Sequence, residues 1–179
     1  MTYQEIIHFW FEECEPSQWF NKDEHFDLLI KERFQSIHDQ VANGEKAIWR
    51  QTVAGRLAEI IVLDQFSRNL YRDNARSFAY DGMALVLAQE AIATGELDAL
   101  SVTQRAFLYM PFMHSESLII HEEAIKQFSE DGMESNLQFE HKHRDILLRF
   151  GRYPHRNAIL GRASTEEEIS FLKEPDSSF

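Results

Sequence analysis

The sequence contains little of what defines several large classes of protein. Its 179 residues include one cysteine, Cys14, which excludes an intrachain disulfide and fits a reducing compartment. Glycine and proline are scarce, at seven and four residues, whereas an all-β chain needs many of both for its turns. No apolar run approaches the roughly 18 residues that span a bilayer, and the N-terminal residues turn acidic too soon for a signal peptide. We therefore expect a cytoplasmic protein.

Basic residues are also few. Eighteen lysines and arginines face thirty aspartates and glutamates, which gives a formal net charge of −12. Binding to nucleic acid or to an anionic membrane needs an extended positive surface. We therefore expect neither as a partner. The same acidity surrounds Cys14, whose neighbours Glu12, Glu13 and Glu15 disfavour a thiolate and hence a nucleophilic role.

Several catalytic and cofactor-binding motifs are missing. The chain has no GxSxG nucleophile elbow, no P-loop, no GxGxxG, no CxxC and no HExxH. Each of these places a nucleophile, a phosphate-binding loop or a set of metal ligands in a defined local structure. Without them we predict no metal and no cofactor, and the sequence names no reaction.

Apolar residues recur three or four positions apart along most of the chain, and the strict alternation of a strand is almost absent. This pattern predicts an all-α fold of about eight helices in antiparallel pairs, in a single domain of residues 1–179 with a frayed tail from about residue 174. We expect Pro111 to break or kink a helix. The predicted helices run from Thr2, from Asp23 to Asn43, from Val53 to about Tyr71, from Ser77 to Ala93, from Thr103 to Met110, from Ser115 to Ser129, from Glu134 to Phe150, and from Thr165 onward.

The first cluster with chemical potential is LDQFSRNLYR, residues 63–72. The apolar face through Leu57 and Ile61 leads to Asp64 and then to Arg68, so both charges are predicted to point into packed structure. An unpaired buried charge costs several kcal/mol. Two interpretations stay open: an Asp64–Arg68 pair that fixes helix packing, or charged groups that line a pocket.

The second cluster spans residues 109–128. His114 and His121 fall on one stripe with Leu118, Ile125 and Phe128 at spacings of four and three. They are seven residues apart, or about 10.5 Å along a helix axis, which is too far for one metal ion to bind both directly. Three interpretations of each histidine stay open: a hydrogen-bonded core residue, a pocket group, or a metal ligand.

The third cluster is HRDILLRFGRYPHRNAILGR, residues 143–162. It carries five arginines, two histidines and one acid, in a protein that is acidic elsewhere. Arg152, His155, Arg156 and Arg162 fall in a turn-rich stretch around Pro154. Guanidinium groups gathered near a loop suit bidentate binding of carboxylate or phosphate. The alternative is that they pair with the surplus acids and hold the C-terminus in place.

These three stretches together resemble a family of small bacterial helical proteins, domain-of-unknown-function family 924, over the full length of the chain. The resemblance implies a fold similar to tetratricopeptide-like proteins, which stack helix pairs, and it implies no established activity. Two departures from the family motif are Ser67, where proline is usual, and Asp73, where glycine often stands. By position, the motif residues correspond to Asp64, Arg68, Asn69, Arg72, His114, Glu116, Arg144, Arg152, His155, Arg156 and Asn157.

Three functions remain open from the sequence. The first is a binding module whose pocket, lined by these arginines and histidines, accepts a small anionic ligand or an acidic peptide. The second is a hydrolase or lyase with His114 or His155 as general base and Glu116 as acid. The third is a structural network of internal ion pairs. Trp19 and Phe20 suit either a homodimer interface or the core.

Overall fold

The computed structural model describes residues 1–175 and 177, and within these residues every regular element is a helix. The all-α prediction is confirmed. The predicted frayed tail lies partly outside the described residues. The chain divides into two compact units, Met1–Arg72 with Arg76–Pro111 and Asp73–Ala75 with Phe112–Phe179. The single domain stays a prediction. No helix among the described residues is both long and apolar enough to cross a membrane.

Unit 1 begins with a capped helix and ends in a proline-containing one. The Thr2 hydroxyl and the Glu5 carboxylate form the predicted capping box, and Asp23 caps the second helix. That helix stops before Gly44, whose φ of +76° suits glycine. The helices are α1 (Tyr3–His8), α2 (Glu24–Ala42), α3 (Val53–Ile60), a π-helical segment (Ile61–Phe66), α4 (Ser67–Leu70), α5 (Asp81–Ala93) and α6 (Val102–Met113).

The core of unit 1 is aromatic and is centred on α3 and the π-helical segment. Leu57 and Phe66 are fully buried, as the nearly continuous apolar run predicts. The ring of Phe34 lies 4.5 Å from that of Phe9 and 4.9 Å from that of Phe66. Each such buried side chain stabilises the fold by about 1.5–3 kcal/mol. This core fixes the helix that carries Asp64 and Arg68.

Three predicted helix boundaries were wrong. The helix with Pro111 continues to Met113, because proline removes one backbone donor without forcing the helix to end. The starts predicted at Ser77 and Ser115 were too early. A short 3₁₀ helix, Ala75–Phe78, precedes α5, and α7 begins at Leu118.

Unit 2 consists of α7 (Leu118–Phe128), α8 (Glu134–Phe150), the 3₁₀ turn Pro154–Arg156 and α9 (Glu166–Phe171). Helices α7 and α8 pack against each other. Gly151 ends α8 with a φ of +69°, and a capping box of Thr165 and Glu168 opens α9, both as predicted.

A second apolar stripe is predicted on α8, through Phe139, His143 and Ile146. The buried faces of α7 and α8 differ from the predicted stripes. His121 and His143 are buried as expected, but Leu118 is 38% exposed and Phe139 is 48% exposed. Glu140 occupies the buried position instead, at 0% exposure. The apolar pattern missed this face because a carboxylate stands where an apolar residue is expected.

Candidate functional site

The charged motif of unit 1 is saturated by carboxylates of the same unit. Arg68 Nη1 lies 3.1 Å from Asp64 Oδ1, and Nη1 and Nη2 donate to the two oxygens of Asp81 at 3.1 and 3.2 Å. Asp64 is fully buried and also accepts a 2.6 Å hydrogen bond from Gln65. Arg68 thus bridges two acids, which agrees with the interpretation that this pair fixes helix packing.

Asn69 and Arg72 share one acid on α2. Asn69 Nδ2 donates to Asp27 Oδ1 at 2.8 Å, while Arg72 donates through Nε and Nη2 to Oδ2 and Oδ1 at 2.5 and 2.6 Å. This bidentate pair ties α4 to α2. The sequence offers no signal for Asp27, because it lies 45 positions from Arg72.

The backbone just after Arg72 explains one departure from the family motif. Asp73 has a φ of 58°. Among the described residues it is the non-glycine residue with a positive φ. Glycine adopts this left-handed conformation without steric cost, and aspartate tolerates it better than most residues. The glycine that often stands here in the family therefore suits the same turn.

In unit 2, two further candidate arginines bind acids. Arg152 donates to the two carboxylate oxygens of Glu168 at 2.7 and 2.8 Å, and Arg144 donates to Glu122 at 2.6 Å. The hydrogen bonds from Arg152 lower the pKa of Glu168 to about 2. The contact of Arg152 agrees with the interpretation in which the arginines hold the C-terminal segment, whereas Arg144 joins α8 to α7.

Glu116 is held as a carboxylate. It accepts hydrogen bonds from Arg162 Nη1 and Nη2 at 2.6 and 2.9 Å and from the Tyr153 backbone N–H at 2.7 Å. Burial raises the pKa of Glu116, but these bonds and the positive charges of Arg162 and Arg156 bring it below its ordinary value. Glu116 therefore lacks the proton that a general acid donates near neutral pH, which weighs against the predicted acid role.

Arg162 also closes the loop that follows α8. Its Nε donates to Asn157 Oδ1 at 3.0 Å, and its Nη2 donates to the Tyr153 carbonyl at 3.1 Å. Asn157 is fully buried and donates to Ser164 Oγ at 3.0 Å. The predicted ligand-binding role of Asn157 stays a prediction, while its described contacts hold residues 153–164 in place.

Cationic and imidazole side chains converge on the buried Tyr153. Its ring centroid lies 5.6 Å from that of His155 and 5.7 Å from that of His143, and the Arg156 guanidinium lies 4.8 Å from it. The set of residues called the Tyr153 cluster below is Tyr153, His114, His121, His143, His155 and Arg156.

The surroundings of His143, a member of this cluster, lower its pKa. Burial, with smaller contributions from the charges of His114, His121 and His155, lowers its pKa to about 3. Its Nδ1 lies 2.8 Å from the Phe139 carbonyl. His143 is therefore a neutral hydrogen-bonded core residue, whereas His114 and His155 are partly exposed. The sequence predicted His114, His155 and Arg156 as site residues and missed Tyr153 at their centre.

A buried dyad adjoins Tyr153. His121 Nδ1 lies 2.5 Å from Glu140 Oε1, and His121 Nε2 lies 2.8 Å from the Ser115 carbonyl and 3.2 Å from the Tyr153 hydroxyl. A carbonyl oxygen only accepts, so Nε2 carries a hydrogen. Burial raises the pKa of Glu140 more than His121 lowers it. The sequence signal for Glu140 is its position three residues before His143, on the same face of α8.

Two other chemical features stand apart from these residues. Burial and the Glu13 charge raise the pKa of the Cys14 thiol to about 12, so it stays protonated at neutral pH. A shallow groove of about 260 Å³ in unit 2 is lined by Lys142, Asp145, Ile146, Arg149, Phe171 and Pro175, none of which is a predicted site residue.

Among residues 1–175 and 177, no three His, Cys, Asp or Glu side chains are grouped to hold a metal ion.

Comparison with known proteins gives a fold and a family. A solved structure of a protein of unknown function from Agrobacterium tumefaciens is 38% identical, with a TM-score of 0.90 over 96% of each chain. No curated protein matches. A model of bacterial proteins of unknown function, DUF924, matches residues 6–176. The chain therefore belongs to the DUF924 family of bacterial proteins, as its three motifs indicated.

Proposed function

We propose that the protein is a helical binding module and that the Tyr153 cluster binds a small anion, either a free carboxylate or phosphate or the acidic end of a peptide. The observation that carries the proposal is the convergence of cations around one carboxylate. Arg162 binds Glu116 directly, Arg156 acts on the same carboxylate through space, and the His155 ring lies 5.6 Å from that of Tyr153. Such a group favours an additional negative charge.

The paired arginines have a different role in this proposal. Arg68, Arg72 and Arg152 each bind an internal carboxylate in a bidentate manner, and a ligand would have to displace that acid. We assign these three to the structural framework. We assign the ligand contacts to His114, His155 and Arg156 because they belong to the Tyr153 cluster, and the two histidines are partly exposed.

Thermal-shift titration with phosphate, citrate and an acidic peptide tests this proposal. We expect at least one of the three to raise the melting temperature of the wild type in a saturable way, because a ligand that binds only the folded state stabilises it. His155→Gln should shift the titration to about tenfold higher ligand concentration. Arg149→Gln, an exposed arginine in the same motif that pairs with Glu167, serves as the matched control and should titrate like the wild type. Identical responses of wild type and His155→Gln would contradict the proposal.

The proposal also retains a tetratricopeptide-like stacking of helix pairs and a cytoplasmic location. The packing of α7 on α8 across a connection of residues 129–133 supports paired helices. The single thiol, protonated and buried, supports a reducing compartment. The hydrolase or lyase alternative is weaker, because the proposed acid Glu116 is held ionised by Arg162.

A further inference from the structure

Unit 1 carries a surface patch of aromatic rings that none of the three motifs includes. The aromatic patch consists of Phe11, Trp19, Phe20 and Phe107. Phe107 is its buried centre, at 2% exposure, and the ring centroids of Trp19, Phe11 and Phe20 lie 4.9, 5.5 and 6.2 Å from it. Phe20 stacks on Phe107 with an interplanar angle of 10° and is nevertheless 69% exposed.

The patch is held rigidly from below. Trp19 Nε1 donates to the Trp10 carbonyl at 2.9 Å, and Trp10 is fully buried in the core. The turn that presents Trp19 and Phe20 is fixed by Glu15, whose backbone N–H donates to Gln18 Oε1 at 2.8 Å. Rigid, partly exposed aromatic rings supply much of the affinity of protein interfaces, because little conformational entropy is lost when they are covered.

The borders of the patch are acidic. Residues 11–24 contain five acids against one lysine, and Glu12, Glu15, Asp23 and Glu24 are exposed. Glu13 is exposed as well, but Arg33 binds its carboxylate at 2.7 Å, and His8 Nδ1 lies 2.9 Å from the Glu12 carboxylate. An apolar aromatic surface beside an excess of carboxylates over cations is complementary to a segment that carries cations next to apolar side chains.

We propose that the aromatic patch binds a cationic peptide segment of a partner protein, in which arginine or lysine alternates with apolar side chains. The apolar side chains cover the exposed ring of Phe20, and a guanidinium stacks on the face of Trp19 while it pairs with Glu12 or Glu15. The charge argument selects this occupant over a second copy of the chain, because two copies each carry −12. It also selects against an anionic membrane.

Fluorescence anisotropy with a labelled peptide of alternating leucine and arginine tests this proposal on the full chain. One control peptide replaces leucine with serine, and the other replaces arginine with glutamate. We expect the leucine–arginine peptide to bind the wild type about tenfold more tightly than either control, and to bind more weakly at high salt. Equal binding of the serine peptide would show charge attraction alone and would overturn the proposal, and so would an absence of binding.

A pair of matched variants locates the contact. Phe20→Ala should weaken binding of the leucine–arginine peptide by about fivefold or more, without unfolding the protein, because Phe20 is 69% exposed. Ile48→Ala removes another exposed apolar side chain of unit 1, at 65% exposure, and should bind like the wild type. Equal losses in the two variants would overturn the proposal. So would a wild-type dimer, measured by sedimentation, that Phe20→Ala converts to a monomer.

Discussion

His121 Nδ1 lies 2.5 Å from Glu140 Oε1, and both side chains are fully buried. The other ring nitrogen of His121 donates to the Ser115 carbonyl, so the dyad holds one shared proton on the line between Nδ1 and the carboxyl oxygen. Since burial disfavours separated charges, and since the pKa of Glu140 is raised, we interpret the dyad as an uncharged pair, with the shared proton on the Glu140 carboxyl rather than on the imidazole.

A neutral dyad predicts that Glu140→Gln is tolerated and Glu140→Ala is not. The glutamine amide can donate to Nδ1, and the Nε2 hydrogen bond to the Ser115 carbonyl persists. Alanine instead leaves a buried imidazole nitrogen without its donor, together with a cavity, and should cost about 3 kcal/mol. The free energy of unfolding from urea titrations measures both changes. If Glu140→Gln lowers the free energy of unfolding as much as Glu140→Ala does, the dyad is an imidazolium–carboxylate pair instead.

The stability of the protein should fall in mild acid because of His143. Burial lowers the pKa of His143 to about 3 from 6.5, so between these values the unfolded state binds more protons than the folded state. Stability is therefore complete above pH 6.5 and is lost as the pH falls towards 3, by up to about 1.4 kcal/mol per pH unit.

Urea titrations between pH 7 and pH 4.5 on the wild type and on His143→Leu measure this contribution. The leucine variant should lose less stability over the interval. It retains part of the loss, because burial also lowers the pKa of His38 to about 4. Parallel pH profiles for the two proteins would show that His143 titrates in the folded state near its ordinary pKa.

The bidentate contact of Arg72 with Asp27 predicts strong coupling between these two residues. Arg72→Leu and Asp27→Asn should each destabilise the protein, and the double variant should cost less than the sum, with a coupling energy of about 1–2 kcal/mol. Anion binding measured on the same variants should stay unchanged, because we assign this pair to the framework. If the effects of the two substitutions on the free energy of unfolding are additive, the residues are not coupled, and the structural role of the pair is contradicted.

Asp73 provides a test of backbone strain. Asp73→Gly and Asp73→Ala remove the same carboxylate, but only alanine keeps a Cβ at a φ of 58°. The Asp73→Gly variant should therefore be more stable than the Asp73→Ala variant by about 1 kcal/mol. Thermal unfolding of the two variants gives the difference, and equal stability would mean that the turn relaxes to a negative φ.

Helix ends were predictable where a local signal controls them. The capping boxes at Thr2 and Thr165 and the glycines at 44 and 151 stand where the structure ends or begins a helix. Residues such as Ser77 and Ser115 also suit 3₁₀ turns, so they gave false starts. The π-helical segment Ile61–Phe66 has no distinctive composition and was not predicted.

The site was predictable only in part, because its partners lie far apart in sequence. Periodicity placed Asp64 and Arg68 on a buried face, and composition drew attention to the arginines of residues 143–162. The acids that bind them, among them Asp27, Asp81 and Glu168, lie 13 to 45 positions away. A local count of charge therefore overestimated how much positive charge is left for a ligand.

Our proposal assigns anion binding to the Tyr153 cluster, and the arginines that pair with Asp81, Asp27 and Glu168 to the structural framework. Isothermal titration with whichever anion stabilises the wild type measures this directly on two variants, Arg156→Gln in the cluster and Arg152→Gln, which breaks the pair with Glu168. We expect Arg156→Gln to weaken anion binding about tenfold or more and Arg152→Gln to bind the anion like the wild type. Binding that is lost in Arg152→Gln and kept in Arg156→Gln would contradict this proposal.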